Sequence, residues 1–128
     1  MIVSSKPRIL IVEDEPDFFK VLRIRLEANG YEVIWAEDGQ KGLDMARNLS
    51  PDLIIMDVML PKMNGFSVTR LLKFDDKYCK NPIIIMSARS SKNDIETGLQ
   101  SGADIYLTKP FKSEELLEDI EKLLKKNK

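Results

Sequence analysis

Three acidic side chains, one hydroxyl and one lysine stand within two residues of the ends of apolar runs in this chain. Glu13 and Asp14 follow the first run, Asp57 closes the third, Ser87 follows the fourth and Lys109 the fifth. Carboxylates gathered at one point repel each other unless a cation joins them. Oxygen donors without histidine or cysteine favour a hard ion. Mg2+ typically takes one or two carboxylates plus phosphate oxygens and keeps several waters. A lysine and a hydroxyl nearby supply charge neutralisation and positioning for a transferring phosphoryl group. A carboxylate can itself be the nucleophile and form an aspartyl phosphate. These residue types imply a Mg2+-assisted phosphoryl site, without choosing which carboxylate reacts.

The elements that must bring these residues together are legible in the hydrophobic pattern. Five short runs, Ile9 to Val12, Val33 to Ala36, Leu53 to Met56, Ile83 to Met86 and Ile105 to Leu107, are rich in Ile and Val and barely alternate with polar residues. Strands buried on both faces read this way. Between them lie stripes of helical period: Phe18, Val21, Leu22 and Leu26; Leu43, Ala46 and Leu49; Val68, Leu71 and Leu72; Ile95 and Leu99; and Leu116, Leu117, Ile120, Leu123 and Leu124. Gly30 and Gly102 are placed to end the first and fourth helices. Ser91 with Asp94 resembles a capping box, and Ser113 is placed to cap the last helix. Five β-α units in strict alternation imply a parallel sheet with right-handed crossovers and helices on both faces. Ligands of such sheets bind beyond the carboxyl ends of the strands, at the topological switch point. If the first, third, fourth and fifth strands are neighbours, the acids, the hydroxyl and the lysine converge there.

At 128 residues the chain has the length of one domain, residues 1–128, with the first six expected to fray. Hydrophobic residues make up 43% and charged residues 32%, an ordinary globular composition, and the formal net charge of −1 gives no global pull toward nucleic acid or membrane. No apolar run approaches the roughly 20 residues of a membrane span. A single cysteine, Cys79, excludes an intramolecular disulfide and suits a reducing compartment. With no histidine, His-based triads, His metal sites and a phosphohistidine carrier are excluded.

The motifs Glu13-Asp14, Asp57-Val58-Met59-Leu60-Pro61-Lys62-Met63-Asn64-Gly65, Ser87-Ala88 and Lys109-Pro110-Phe111 together resemble the response-regulator receiver domain. Gly30-Tyr31, Pro51-Asp52-Leu53 and Gly102-Ala103-Asp104 also fit its spacing, and the match runs from Arg8 to Leu124. The resemblance implies a doubly wound, flavodoxin-like (βα)5 fold with strand order 2-1-3-4-5. It implies that Asp57 is the phosphoacceptor, and that Mg2+ is held by Glu13, Asp14, Asp57 and the main-chain carbonyl of Met59. Lys109 would pair with the phosphoryl oxygens, across a cis Lys109-Pro110 bond. Ser87 would be the switch hydroxyl and Tyr106 the switch aromatic. Such a protein is expected in the cytoplasm, receiving its phosphoryl group from a histidine kinase or a histidine phosphotransfer protein and signalling to a downstream protein.

Two surfaces would carry these contacts. Ile24 lies opposite the Phe18-Leu22-Leu26 stripe, on the helix where the resemblance places the kinase. The fourth helix, fifth strand and fifth helix would be remodelled through Ser87 and Tyr106. In the family this resembles, one class of receivers dimerises through a basic-acidic pattern on the last two helices. Here the last helix reads Glu114, Glu115, Glu118, Asp119, Glu121 without an early arginine, so the resemblance implies a monomer. As given, the chain shows no output domain, so no direct contact with nucleic acid is expected; its start at Met1 and lysine-rich end suggest a stand-alone protein. An Asp-nucleophile phosphatase of the haloacid-dehalogenase type would need a second Asp two residues after the first, where this chain has Met59. A nucleotide-binding module would need a Gly-rich phosphate loop, where this chain has Glu13-Asp14-Glu15-Pro16. A receiver that binds partners without phosphorylation is opposed by the intact residue set.

Overall fold

Runs of Ile, Val and Leu become strands because both of their faces find cover. In the computed structural model, which describes residues 6–126, the elements alternate without exception. They are β1 (Arg8–Val12), α1 (Pro16–Ala28), β2 (Glu32–Ala36), α2 (Gly39–Leu49), β3 (Leu53–Asp57), α3 (Gly65–Lys73), β4 (Ile83–Ser87), α4 (Lys92–Gln100), β5 (Ile105–Thr108) and α5 (Ser113–Lys126). The expected fraying falls, apart from Lys6, outside the described residues.

All strand pairs are parallel, in the order β2-β1-β3-β4-β5. Alternate residues of each strand serve opposite cores. Ile9, Ile11, Leu53, Ile55, Ile84 and Met86 pack against Phe19, Leu22 and Leu26 of α1 and Leu116, Ile120 and Leu123 of α5. Leu10, Val12, Ile54, Met56, Ile83 and Ile85 face Leu43 and Ala46 of α2 and Val68 and Leu72 of α3. The three central strands are fully buried from Ile9 to Val12, Leu53 to Met56 and Ile83 to Met86, at about 1.5–3 kcal/mol per large side chain.

Helix ends are fixed by local chemistry. Asp38, Asn64 and Ser91 cap α2, α3 and α4 by accepting from the amides of Lys41, Ser67 and Asp94. The Ser91 hydroxyl returns a bond to the Asp94 carboxylate at 2.7 Å, a side-chain variant of the expected box. Gly30 (φ +90°) and Gly102 (φ +107°) take the left-handed conformation after α1 and α4. Each closes a Schellman motif, with bonds Gly30 to Glu27 and Tyr31 to Leu26, and Gly102 to Leu99 and Ala103 to Gly98.

Four stripe positions come out differently: Val21, Leu49, Leu71 and Leu99 are exposed. In α1 the buried stripe is Phe19-Leu22-Leu26, and Val21 sits about 200° around the helix from Phe19, facing away from the sheet. Leu49 and Leu99 fall at or next to the last residue of short helices, beyond the reach of the sheet. Ser113 is the first residue of α5 rather than its cap: the amides of Glu115 and Leu116 both donate to the Lys112 carbonyl.

Candidate functional site

β1 and β3 are adjacent and their helices depart to opposite faces, so a crevice opens at their carboxyl ends. Register sets its contents. Val12 pairs with Met56, which places Glu13 beside Asp57, and Asp57 in turn pairs with Met86 next to Ser87. One carboxylate oxygen from each of Glu13, Asp14 and Asp57 lies within 4.8 Å of the others. Glu13 and Asp57 are buried, and Asp14 is the most open of the three.

Each buried carboxylate is held. Asp57 Oδ1 accepts from the Val58 amide at 2.7 Å, and Glu13 Oε2 from the Glu15 amide at 3.0 Å. Lys109 reaches across from the end of β5 and bridges the remaining oxygens, Glu13 Oε1 and Asp57 Oδ2, at 3.1 Å each. The Lys109-Pro110 bond is cis. The Lys109 amide donates to the Ser87 carbonyl at 2.7 Å, tying the end of β5 to that of β4.

This crowding is written into the acid-base properties. Burial pushes Glu13 up to about 7, helped by the Asp57 charge and opposed by the Glu15 amide and Lys109. Burial alone would lower Lys109, but the Asp57 and Glu13 carboxylates outweigh it and hold the ammonium above its ordinary range. The lysine is thus a fixed positive charge inside an acidic cluster.

Around this centre lies a cleft of about 420 Å³ lined by Asp14, Val58, Met59, Leu60, Pro61, Asn64, Phe66 and Arg89. Met59 is exposed on its rim. Its loop is pinned by Gly65, whose amide donates to the Val58 carbonyl. A Cβ at Gly65 would collide with the Asp57 carbonyl, so only glycine lets α3 start this close to the strand end. Across the mouth, the Arg89 guanidinium pairs with Asp94 at 2.8 Å and approaches Met59 Sδ at 3.9 Å.

Ser87 is fully buried, and its Oγ accepts from the Arg89 amide at 3.0 Å. The Tyr106 hydroxyl donates to the Arg89 carbonyl at 2.7 Å. Both residues therefore act on one loop, β4 to α4. Tyr106 is half-buried, its ring against Gly98 of α4, where a Cβ would come within 2.6 Å of the ring.

The candidate site residues named from the sequence lie at this end of the sheet except Tyr106, which pairs with Ile85 in mid-strand and reaches this end through its hydroxyl bond to the Arg89 carbonyl. Three further residues escape sequence reasoning. Phe18, assigned there to a core stripe, stands over the Lys109 ammonium, 4.2 Å from nitrogen to ring centroid. Trp35 donates its indole N–H to the Glu13 carbonyl. Gly98 makes room for Tyr106. No motif marks them; the signal is an aromatic one turn beyond an acid pair, and a glycine inside a helix.

Three carboxylates, with no histidine or cysteine among them, suit a hard divalent cation, and Lys109 supplies the positive charge that joins two of them. Among the described residues, no helix is long and apolar enough to cross a membrane.

Comparison with known proteins agrees with this geometry. The receiver domain of the Francisella response regulator 1452 superposes with a TM-score of 0.89, at 33% identity over 95% of this chain and 99% of that one. The chemotaxis response regulator CheY4 of Vibrio cholerae gives 0.85, at 30% identity over 93% and 99%. Among curated proteins, the DNA-binding dual master transcriptional regulator RpaA of Synechocystis sp. is 44% identical over 94% of this chain but only 50% of its own length. The DNA-binding response regulator MtrA of Mycolicibacterium smegmatis is 39% identical over 97% and 53%. The chain thus spans about half the length of the curated relatives it matches, and these relatives lend no support to the expectation of a stand-alone protein. Residues 9–121 match the family model for the response regulator receiver domain, and the chain belongs to that family of two-component signalling domains.

Proposed function

We propose that Asp57 accepts a phosphoryl group from a phosphohistidine of a histidine kinase or phosphotransfer protein, and that this modification switches the α4-β5-α5 face for a protein partner. One observation carries the reading: Asp57 is a buried carboxylate whose Oδ2 is 3.1 Å from the Lys109 ammonium, inside a triad of acids fit for a divalent cation. An Asp57 oxygen forms the bond to phosphorus; the bond from phosphorus to the donor breaks, and the donor leaves with the electron pair. Glu13, Asp14, Asp57 and the Met59 carbonyl would hold Mg2+, which would supply charge neutralisation for the incoming phosphoryl group. Lys109 meets those oxygens from the other side. The Ser87 hydroxyl turns from its loop toward the phosphoryl group, and Tyr106 moves with it, because both are bonded to the β4-α4 loop through Arg89.

The domain is a signalling switch rather than an enzyme acting on a separate substrate. It works in the cytoplasm as a monomer, and its kinase docks on α1, where Ile24 and Val21 are exposed side by side. Labelling with acetyl phosphate and Mg2+, read as added mass on Asp57, tests the reading. Wild type gains one phosphoryl group and Asp57→Asn gains none with its fold intact; labelling of the variant at the wild-type rate would refute it.

A further inference from the structure

The Lys109 ammonium has three protons and three partners. Two are the Glu13 and Asp57 carboxylates. The third side is covered by the face of Phe18, with the nitrogen 4.2 Å from the ring centroid. That lies well within the roughly 6 Å over which a ring quadrupole attracts a cation. The Phe18 ring is itself held edge-on by Phe111, with centroids 6.2 Å apart and planes at 84°. Phe111 lies two residues beyond Lys109 in the β5-α5 loop, so lysine and ring are gripped by the same segment.

A lysine at the mouth of a cleft ordinarily turns its compact, strongly hydrated charge toward water. Here the side chain is only 22% exposed. We propose that Phe18 is the positioning residue for Lys109: its ring holds the ammonium over the carboxylates and keeps water off it, and so sets how fast Asp57 takes a phosphoryl group. This rests on the reading of Asp57 as phosphoacceptor. A preplaced cation need not be ordered when the phosphoryl group arrives. Leucine at position 18 would fill much of the apolar volume but offer no quadrupole, whereas tyrosine would keep the ring.

The test compares wild type, Phe18→Leu and Phe18→Tyr, with Phe18→Met as a second ringless variant should leucine impair folding. The first readout needs no phosphorylation: the ε-methylene protons of Lys109 are shifted upfield by the ring in wild type and Phe18→Tyr, and return to free-lysine values in the ringless variants. The second is the initial rate of labelling by acetyl phosphate, chosen because no kinase surface is involved. The ringless variants label about three- to tenfold more slowly, the size of one partly shielded cation–π contact. Phe18→Tyr keeps the wild-type rate. Ringless variants at the wild-type rate, or Phe18→Tyr as slow as Phe18→Leu, overturn the proposal. A wild type that takes no phosphoryl group at all refutes the phosphoacceptor reading instead, and the ε-methylene shift then decides on the clamp by itself.

Discussion

Trp35 donates its indole N–H to the main-chain carbonyl of Glu13 at 2.7 Å, and its ring stacks on Phe19 at 4.4 Å and 7°. The only tryptophan of the chain is therefore wired to the main chain of the acidic cluster from the neighbouring strand. Mg2+ binding should change its fluorescence in a saturable way, without any phosphoryl donor. Asp14→Ala removes the most open carboxylate of the three and should move saturation to higher Mg2+. An identical titration curve for that variant would rule out Asp14 as a ligand.

Glu13 gives the metal-free domain a defined pH dependence. Its folded-state pKa, raised by burial to about 7, lies above the ordinary 4.5 of the unfolded chain. Between these values the folded state binds more protons than the unfolded state, so stability falls as pH rises. The contribution is complete below about 4.5 and gone above about 7, a loss on the order of a few kcal/mol. Urea unfolding of the Mg2+-free protein should thus show a higher midpoint at pH 5 than at pH 7.5. Glu13→Gln should flatten the profile, and so should saturating Mg2+, which selects the carboxylate. A wild-type midpoint that rises across this interval would contradict the assignment.

The fold and most of the site were legible in the sequence, for a physical reason. Strands covered on both faces need unbroken apolar runs, and a parallel sheet forces polar chemistry to the strand ends. Glu13, Asp57 and Ser87 could thus be found from the polar residue that closes or succeeds its run, and Lys109 one residue further on, past Thr108. The resemblance added their roles. What stayed hidden depends on distances between side chains far apart in sequence. Phe18 reads as a core residue because aromatic burial and cation–π contact use the same side chain. Leu49 and Leu99 read as core because periodicity alone does not show where the sheet ends. The Arg89 bridge to Asp94 and Met59 joins two loops that no periodic pattern relates.

That bridge bears on how long a phosphoryl group placed on Asp57 would last. Arg89 is anchored by Asp94, whose own carboxyl is held below its ordinary range by the Ser91 hydroxyl first and by Arg89. The guanidinium and the Met59 thioether thus stand together at the mouth of the cleft, and neither can orient an attacking water as a general base. Met59→Asn, which introduces a group able to do so, should speed loss of the label from Asp57. Tracking the label after removal of donor checks this, and a slower or equal rate in the variant counts against it.

Gly98 and Tyr106 set the packing of α4 against β5. A Cβ at position 98 would stand 2.6 Å from Tyr106 Cδ2 and 2.8 Å from Cε2, well inside contact distance. In an exposed helix, Gly→Ala is worth about 1 kcal/mol in favour of alanine. Forcing a methyl into a packed contact costs about 1–3 kcal/mol, so the steric term wins. Gly98→Ala should therefore destabilise the domain by up to about 2 kcal/mol, the difference of those two terms, and turn Tyr106 outward. Its bond to the Arg89 carbonyl would then be lost. The background decides between causes. In Tyr106→Leu, where the ring is absent, the same Gly98→Ala change should cost much less, because beside the propensity term only the looser 3.3 Å approach to Phe66 Cε1 remains. A double-mutant cycle from urea unfolding measures this coupling directly. Additive effects would mean that Gly98 serves α4 alone and that the inward seat of Tyr106 does not depend on it.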